Sequence, residues 1–524
     1  MLSETKSRLS GRTLIHTLFF FLLVTQICFA QFEFSDSYLQ TIISKGQNTN
    51  SFQSKINSSI LDSIITGYIT SENIPGATGL IFNEEGDILW SGNYGYKNLQ
   101  YQLPVDDSTY FLMASISKTF IATAIMQLWE NGLINLDANI NDYLPSGFVV
   151  VNPFYPNETI TVKMLMLHTS SINDNWDILF DLWACGDYPV SVDSFLVNYF
   201  TPGGTYYSSN NFYGNHPGNY WNYSNAGVCL LALMIKNLTG KNFDEYTRDS
   251  ILTPLSMNSS SWYLDGMDTN KIATPYRGTG NTPQAMCHIG FAYWPVVQLR
   301  TNKLELANFA AAYLNNGIYK SYRLLDSTTI ALMLSNYVTV SWGYQGLIWG
   351  AAPSLIYNMV WGHDGAFAGT QTGMFICREE NWGVIFFINR GEPPNFSSGF
   401  FPVLKQMANY AHLITTDVEV GTPIPSTFSL NQNYPNPFNP TTTIKYQIPE
   451  LSFVTLKVFD VLGNEIITLI NEEKPAGTYE VTWNGVSAKG GYASGVYFYQ
   501  LKAVDPSTGS GQAFIQTKKM ILLR

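Results

Sequence analysis

Ser115-Ile-Ser-Lys118 sets a hydroxyl and an amine three residues apart, followed by the apolar run TFIATAIM. On a helix, positions i and i+3 share a face, so the Lys118 amine can reach the Ser115 hydroxyl. A serine hydroxyl is a weak nucleophile until a neighbouring base takes its proton. A lysine acts as that base only when burial or a nearby cation lowers its pKa. The apolar run after Lys118 is consistent with burial, and a helix N-terminus adds a positive field that favours an anionic intermediate at Ser115. The chemistry expected is acyl transfer. The tetrapeptide alone is weak evidence, because Ser3-Glu-Thr-Lys6 has the same spacing in a segment that does no catalysis.

Two companions strengthen it. In the β-lactamase and penicillin-binding set, S-x-x-K is joined by a Ser/Tyr-x-Asn element and a K-T-G-like strand. Tyr223-Ser-Asn225 supplies the second element. Tyr213-Gly-Asn215, Tyr220-Trp-Asn222 and Tyr313-Leu-Asn315 also fit the spacing, but Tyr223 is preceded by Pro217-Gly218 and followed by an apolar helix (AGVCLLALMI). His363-Asp-Gly365, just before a strand pair, stands where K-T-G is expected. His216-Pro-Gly218 falls before the tyrosine element, and His288-Ile-Gly290 precedes a helix, so neither takes this place.

With these motifs in order, residues of about 56–414 resemble the serine β-lactamase-related family. That family holds class C β-lactamases, D-Ala-D-Ala carboxypeptidases, D-aminopeptidases and certain esterases. Gly95-Tyr96-Lys97 with Leu103-Pro-Val, the LMLHTS segment from Leu165 to Ser170, Thr239-Gly240 and Thr253-Pro-Leu-Ser-Met257 resemble further family segments. The resemblance implies an α/β, β-lactamase/transpeptidase-like fold, an antiparallel sheet flanked by helices plus a helical subdomain. It implies Ser115 as nucleophile, Lys118 as its base, and Tyr223 as proton shuttle, either as a phenolate or through Lys118. Asn225 would bond the substrate amide and Lys118. The N–H groups of Ser115 and Ala366 would form the oxyanion hole, and His363 and Gly365 would line the substrate strand. Blander roles exist: Tyr223 as a core aromatic, Asn225 as a helix cap, and His363 as a structural histidine. His168 resembles the family's structural histidine and is left out of the chemistry.

Two departures bear on substrate. In lactamases the lysine and threonine of K-T-G help hold the β-lactam carboxylate. Here Asp364 puts a negative charge nearby, unless strand alternation turns it away. That disfavours an efficient β-lactamase and could favour a cationic substrate end. The stretch Ser171–Tyr220 is long and aromatic. It is expected either as a lid over the cleft or as a surface excursion packed on itself.

The elements that must position these residues follow from periodicity. Ala77–Phe82 and Ile88–Gly92 read as a hairpin, Ser115–Asn131, Ala226–Leu238 and Leu304–Asn315 as helices, and Thr370–Cys377 and Trp382–Asn389 as a strand pair. Strands at both ends with helices between suggest one mixed sheet closed by both ends of this zone. Residues 428–524 alternate in period 2 and read as a small all-β, Ig-like sandwich, after a linker at 415–427. Asn433-Tyr-Pro-Asn-Pro-Phe-Asn-Pro440, Val458-Phe-Asp-Val-Leu-Gly463, Ala493-Ser-Gly-Val-Tyr-Phe498 and the final Lys518–Arg524 resemble the C-terminal sorting domain of type IX secretion in Bacteroidetes-like bacteria. A carbohydrate-binding or adhesive module is the other reading of that zone.

The N-terminus suits export. Lys6, Arg8 and Arg12, the run Leu18–Val24, and Cys28-Phe29-Ala30 read as a secretory signal over residues 1–30. A polar lead-in follows over 31–55. No later run is long enough to cross a bilayer. The 524 residues carry 28 Lys+Arg against 39 Asp+Glu, a net charge of −11, which argues against nucleic-acid binding. Charged residues are only 13% and aromatics 15%, so a large core is available and wholesale disorder is excluded. Cys185, Cys229, Cys287 and Cys377 show no zinc spacing, and their pairing is open, with Cys229 and Cys377 in apolar runs. No metal or organic cofactor is implied.

The expectation is a secreted or cell-surface serine hydrolase working through an acyl-enzyme on Ser115. D-Ala-D-Ala carboxypeptidase-like or D-amino-acid peptidase activity leads, esterase follows, and weak β-lactamase is third. Its partners would be a small-molecule or peptide substrate and the type IX secretion machinery. A non-catalytic binding protein on a penicillin-recognising fold is the alternative from another class.

Overall fold

A computed structural model describes residues 50–278, 282–353, 359–367, 369–391, 396–415, 427–449, 452–474, 477–485, 492–504 and 514–523. The expected signal at 1–30, the lead-in up to 49 and the linker at 416–426 lie outside the described residues. The chain divides into two compact units, mostly residues 54–416 and 417–524.

The first unit is built on a nine-stranded sheet. Its strands are β1 (Gly76–Asn83), β2 (Ile88–Asn98), β3 (Leu103–Pro104), β4 (Val338–Val340), β5 (Gly343–Gln345), β6 (Gly350–Pro353), β7 (Met359–Phe367), β8 (Thr370–Cys377) and β9 (Trp382–Ile388). Their order is β4-β5-β6-β7-β8-β9-β1-β2-β3. Each pairing is antiparallel, which corrects the mixed sheet expected from the pattern. The physical reason is that short turns join consecutive strands at both ends of the unit, and a short turn permits only antiparallel neighbours. β1 then pairs with β9 from Ala77–Ile388 to Asn83–Trp382, so the two ends of the unit close one sheet.

β8 and β9 are buried throughout, because both faces of the sheet are covered. Ile385 and Phe387 join one core, Val384, Phe386 and Ile388 the other, as period-2 alternation requires. The first core gathers α2 (Ser117–Glu130), α3 (Asn225–Thr239) and α4 (Lys303–Leu314). The second gathers α1 (Asn50–Ser71) and α5 (Phe396–Thr415). Burial of α2 from Ser117 to Leu128 explains its nearly unbroken apolar sequence. α3 stops at Gly240, whose φ of 72° is the left-handed conformation that glycine takes without a Cβ penalty.

The aromatic stretch 171–220 packs on itself, Phe195 on Tyr199 and Phe200 on Phe212, but is not confined to the surface. Phe195, Tyr199, Phe200 and Phe212 are buried in the first core, Phe195 6.1 Å from the Tyr293 ring. Trp183 and Tyr220 stay exposed, so only part of the stretch is drawn into the core. Cys185 and Cys287 form a disulfide, while Cys229 and Cys377 are free and buried.

The second unit has two antiparallel sheets. One holds Ser429–Leu430, Thr441–Ile448 and Gly477–Asn484, and the other Glu465–Lys474, Ser452–Phe459, Gly495–Val504 and Phe514–Leu522. Ile444, Tyr446 and Ile448 alternate inward from the first, Val454, Leu456 and Val458 from the second, around Trp483. No helix among the described residues is long and apolar enough to cross a membrane.

Candidate active site

Ser115 sits in a tight turn, Ala114–Ile116, just before α2. Ala114 has φ 47°, a conformation costly for a residue with a Cβ, about 1–3 kcal/mol. Surrounding bonds hold the turn: Met113 N–H donates to Leu299 O at 2.8 Å, Thr372 Oγ1 to Met113 O at 2.9 Å, and Leu299 N–H to Ser117 Oγ at 3.1 Å. Gly365 closes it from β7. A Cβ there would lie 2.3 Å from Met113 O and 3.0 Å from Ser115 N, so only glycine lets this strand approach Ser115 so closely.

Lys118 is completely buried. Its Nζ lies 3.0 Å from Ser115 Oγ and 3.0 Å from Val296 O. Burial lowers its pKa to about 7, against the opposing pull of Asp174, Cys229 and Asp364. A neutral amine directed at a serine hydroxyl is therefore populated near neutral pH. Tyr223 lies alongside, its ring 5.1 Å below Lys118 Nζ. Its hydroxyl is buried beside Ser115. Burial pushes the phenol well above its ordinary value, although the nearby Ser115 hydroxyl pulls it down. Of the two forms expected of Tyr223, burial disfavours the phenolate.

Asn225 departs from expectation. Its Nδ2 donates to Asp174 Oδ2 at 2.7 Å rather than bridging to Lys118, and its buried Oδ1 has no partner. The cap of α3 is Ser224, whose hydroxyl accepts from Gly227 N–H at 2.9 Å. Asp174 is the residue that sequence reasoning missed. Its carboxylate takes Asn225 N–H at 2.8 Å and Ala226 N–H at 2.9 Å, at the positive end of α3. Burial raises its carboxyl pKa, and these amides work the other way. The available signal was an acid in the otherwise uncharged run Thr169–Trp176.

The two histidines are neutral, and their partners fix their tautomers. His168 Nδ1 lies 3.2 Å from Ser224 N–H, which can only donate, so the ring proton sits on Nε2. His363 Nδ1 lies 2.6 Å from Asp364 O, which can only accept, so there the proton sits on Nδ1. Burial, aided by Lys118, lowers His363 to about 3 and His168 well below its ordinary value. His168 stacks on Tyr223 at 4.3 Å and orders the tyrosine segment from behind, as a structural residue would. Its own φ of 56° is held by Asn222 N–H donating to His168 O at 2.7 Å.

Ser115, Tyr223, His363 and Ala366 share the lining of one open pocket of about 600 Å³ with Asp364, Trp221, Trp342 and Gln345. Lys118 and Gly365 lie directly behind it. The structure thus brings these six candidate residues together, while Asn225, turned to Asp174, does not line the pocket. The decoys lie elsewhere: His216 pairs with Glu158, His288 lines a separate cavity with Arg300, and Tyr313 bonds Thr123 in the core. No group of three His, Cys, Asp or Glu side chains suited to a metal occurs among the described residues.

A family model described as Beta-lactamase matches residues 61–400, and one described as Secretion system C-terminal sorting domain matches 432–515. Penicillin-binding protein 4* of Bacillus subtilis is 24% identical over 352 residues, 62% of this chain and 70% of that protein. Protein flp of Staphylococcus aureus is 25% identical over 402 residues, 75% of this chain and 73% of that one. Among solved structures, the octameric penicillin-binding protein homologue from Pyrococcus abyssi gives a TM-score of 0.53 at 19% identity, over 88% of this chain and 95% of that one. The D-amino acid amidase from Ochrobactrum anthropi SV3 gives 0.53 at 18%, over 67% and 99%. The D-alanine carboxypeptidase AmpC from Burkholderia cenocepacia gives 0.52 at 18%, over 68% and 99%.

Proposed function

The chain belongs to the beta-lactamase family of serine hydrolases, and on that premise we propose that it is an exported hydrolase that cleaves a D-amino-acid amide or peptide bond through an acyl-enzyme on Ser115. One observation carries this reading: a buried lysine amine with a pKa of about 7 lies 3.0 Å from a serine hydroxyl at a pocket. The neutral Lys118 amine takes the Ser115 proton as Oγ attacks the substrate carbonyl. The N–H groups of Ser115 and Ala366 receive the oxyanion. The proton passes from Lys118 through the Tyr223 hydroxyl to the departing amine, and water then releases the acyl group. Asn225 Oδ1, buried and unpartnered, accepts from the substrate amide N–H. A D-amino acid amidase and a D-alanine carboxypeptidase share the fold, which is consistent with this substrate class. The sorting domain at 432–515 supports export past the outer membrane, toward exogenous substrates and away from the cell's own peptidoglycan.

The test is labelling with a fluorescent fluorophosphonate and a fluorescent penicillin, with Ser115→Ala as control. Ser115-dependent labelling by at least one probe is expected, and no such adduct would sink the enzyme reading in favour of a binding protein. Fluorophosphonate labelling alone, with turnover of p-nitrophenyl esters and none of D-amino-acid amides, would make it an esterase.

A further inference from the structure

Asp364 is an unusual lining for a pocket of this kind. It faces the same space as Ser115 and Tyr223, and no lysine or arginine lines that space among the described residues. Its carboxylate forms no ion pair among them either. The two histidines nearby are held neutral by burial. At the pocket wall a carboxylate entering with a substrate would therefore meet a like charge, the partly protonated Lys118 lying buried behind Ser115. A cation would meet the opposite.

Strand alternation along β7 separates Asp364 from His363 and Gly365. Gly365 faces the Ser115 turn, and Asp364 shares its face with Gly362. The pocket wall near it is aromatic. Trp221 and Trp342 pack edge to face at 6.1 Å. Trp221 Nε1–H donates to Gln345 Oε1 at 3.1 Å, and Gln345 Nε2 donates to Gly346 O at 2.9 Å, so the indole is fixed before substrate arrives. Gly350 on β6 makes room for the second indole, since a Cβ there would lie 3.0 Å from the Trp342 ring. A carboxylate beside an indole held in place is a receptor for an ammonium group.

We infer that Asp364, with Trp221 and Trp342, seats a protonated amine close to the scissile carbonyl, so that the pocket selects aminoacyl amides or esters with a free α-amine over substrates bearing a carboxylate there. This rests on the acyl-enzyme reading and divides its substrate class, favouring amidase-like over carboxypeptidase-like action. Asp364 acts in specificity, and the bond-breaking steps remain those at Ser115. Burial raises the Asp364 carboxyl to about 6, so it is ionised at neutral pH, when such amines are protonated.

The test compares kcat/KM of the mature protein for D-alanine p-nitroanilide, its N-acetyl form and its N-succinyl form at about pH 7. The free amine is expected to exceed the acetyl substrate by about 10-fold and the succinyl substrate by about 100-fold. Asp364→Asn is expected to shrink the amine-to-acetyl ratio by about 10-fold or more, and reading a ratio cancels any general loss of activity. Equal or better turnover of the succinyl substrate, or an Asp364→Asn ratio like wild type, overturns the inference. Should Asp364→Asn not fold, the wild-type ratios decide, together with the ratio in Trp342→Leu, expected to fall by a few-fold. Fluorophosphonate labelling separates the two levels. Ser115-dependent labelling without amine preference overturns this inference alone, and its absence overturns the acyl-enzyme reading with it.

Discussion

Lys118 offers the sharpest test, because burial alone is asked to turn an ordinary lysine into a base. A lysine of ordinary pKa 10.5 is neutral in only about one molecule in 3,000 at pH 7. At a pKa of about 7, about half the molecules carry the neutral amine, a gain of roughly 10³ in competent enzyme. The sign follows from the direction of the shift. The competent form is the deprotonated one, so acylation falls as pH drops below about 7 and reaches a plateau above it. Stopped-flow acylation by a fluorophosphonate or p-nitrophenyl ester, from about pH 5 to about pH 10, reads this directly. The logarithm of the rate is expected to climb with unit slope and flatten near pH 7. Asp364→Asn removes a charge that holds the lysine up, so the inflection moves to lower pH. Lys118→Arg cannot lose its proton and forfeits about 10²–10⁴ in rate. Lys118→Met removes an amine whose protonation burial penalises, so it stabilises the fold by a few kcal/mol in mild acid while abolishing acylation. A rate still climbing at about pH 9, or an inflection that rises in Asp364→Asn, would refute the reasoning.

Four other outcomes are expected. Asp174→Ala strips the carboxylate from three amide donors, so unfolding by denaturant should show a loss of about 3–5 kcal/mol, with slower acylation as Asn225 loosens. Gly365→Ala drives a Cβ into Met113 O, and is expected to cut Ser115 labelling by at least about 10-fold at a stability cost of about 1–3 kcal/mol. The Cys185–Cys287 disulfide closes a separation of 102 residues, so Cys185→Ser, read by thermal unfolding, should lose about 2–4 kcal/mol and abolish any effect of reductant. Deleting residues 428–524 should leave the protein in the periplasm, and unchanged release into the medium would contradict the export reading.

Much of the protein was legible locally. The hairpin of β1 and β2, the three helices and the pair β8 and β9 follow from periodicity, since residue spacing directly sets which side chains share a face. Ser115 and Lys118 are three residues apart, so their meeting needs no fold beyond one helical turn. Tyr223 and His363 could be chosen among decoys only by order and neighbours, which a family resemblance supplies. The antiparallel course of the sheet was readable in its short turns, but strands at the two chain ends suggested a mixed one.

By itself, then, the sequence determined the candidate groups, their order and the two kinds of domain, because these are written in residue type and short spacing. Tertiary structure decided the environment. It took Asp174 to Asn225 across 51 residues, set Gly365 against the carbonyl of Met113, and paired Cys185 with Cys287 from among the four cysteines that follow Cys28. It sent Phe195, Tyr199, Phe200 and Phe212 into the core and left Trp221 and Trp342 at the pocket beside Asp364. The physical reason is that a pKa, a tautomer or a pocket's charge depends on what surrounds a group through space. Burial of Lys118 and the placing of Asp364 at the pocket wall exist only once the sheet has closed and the helices have excluded water.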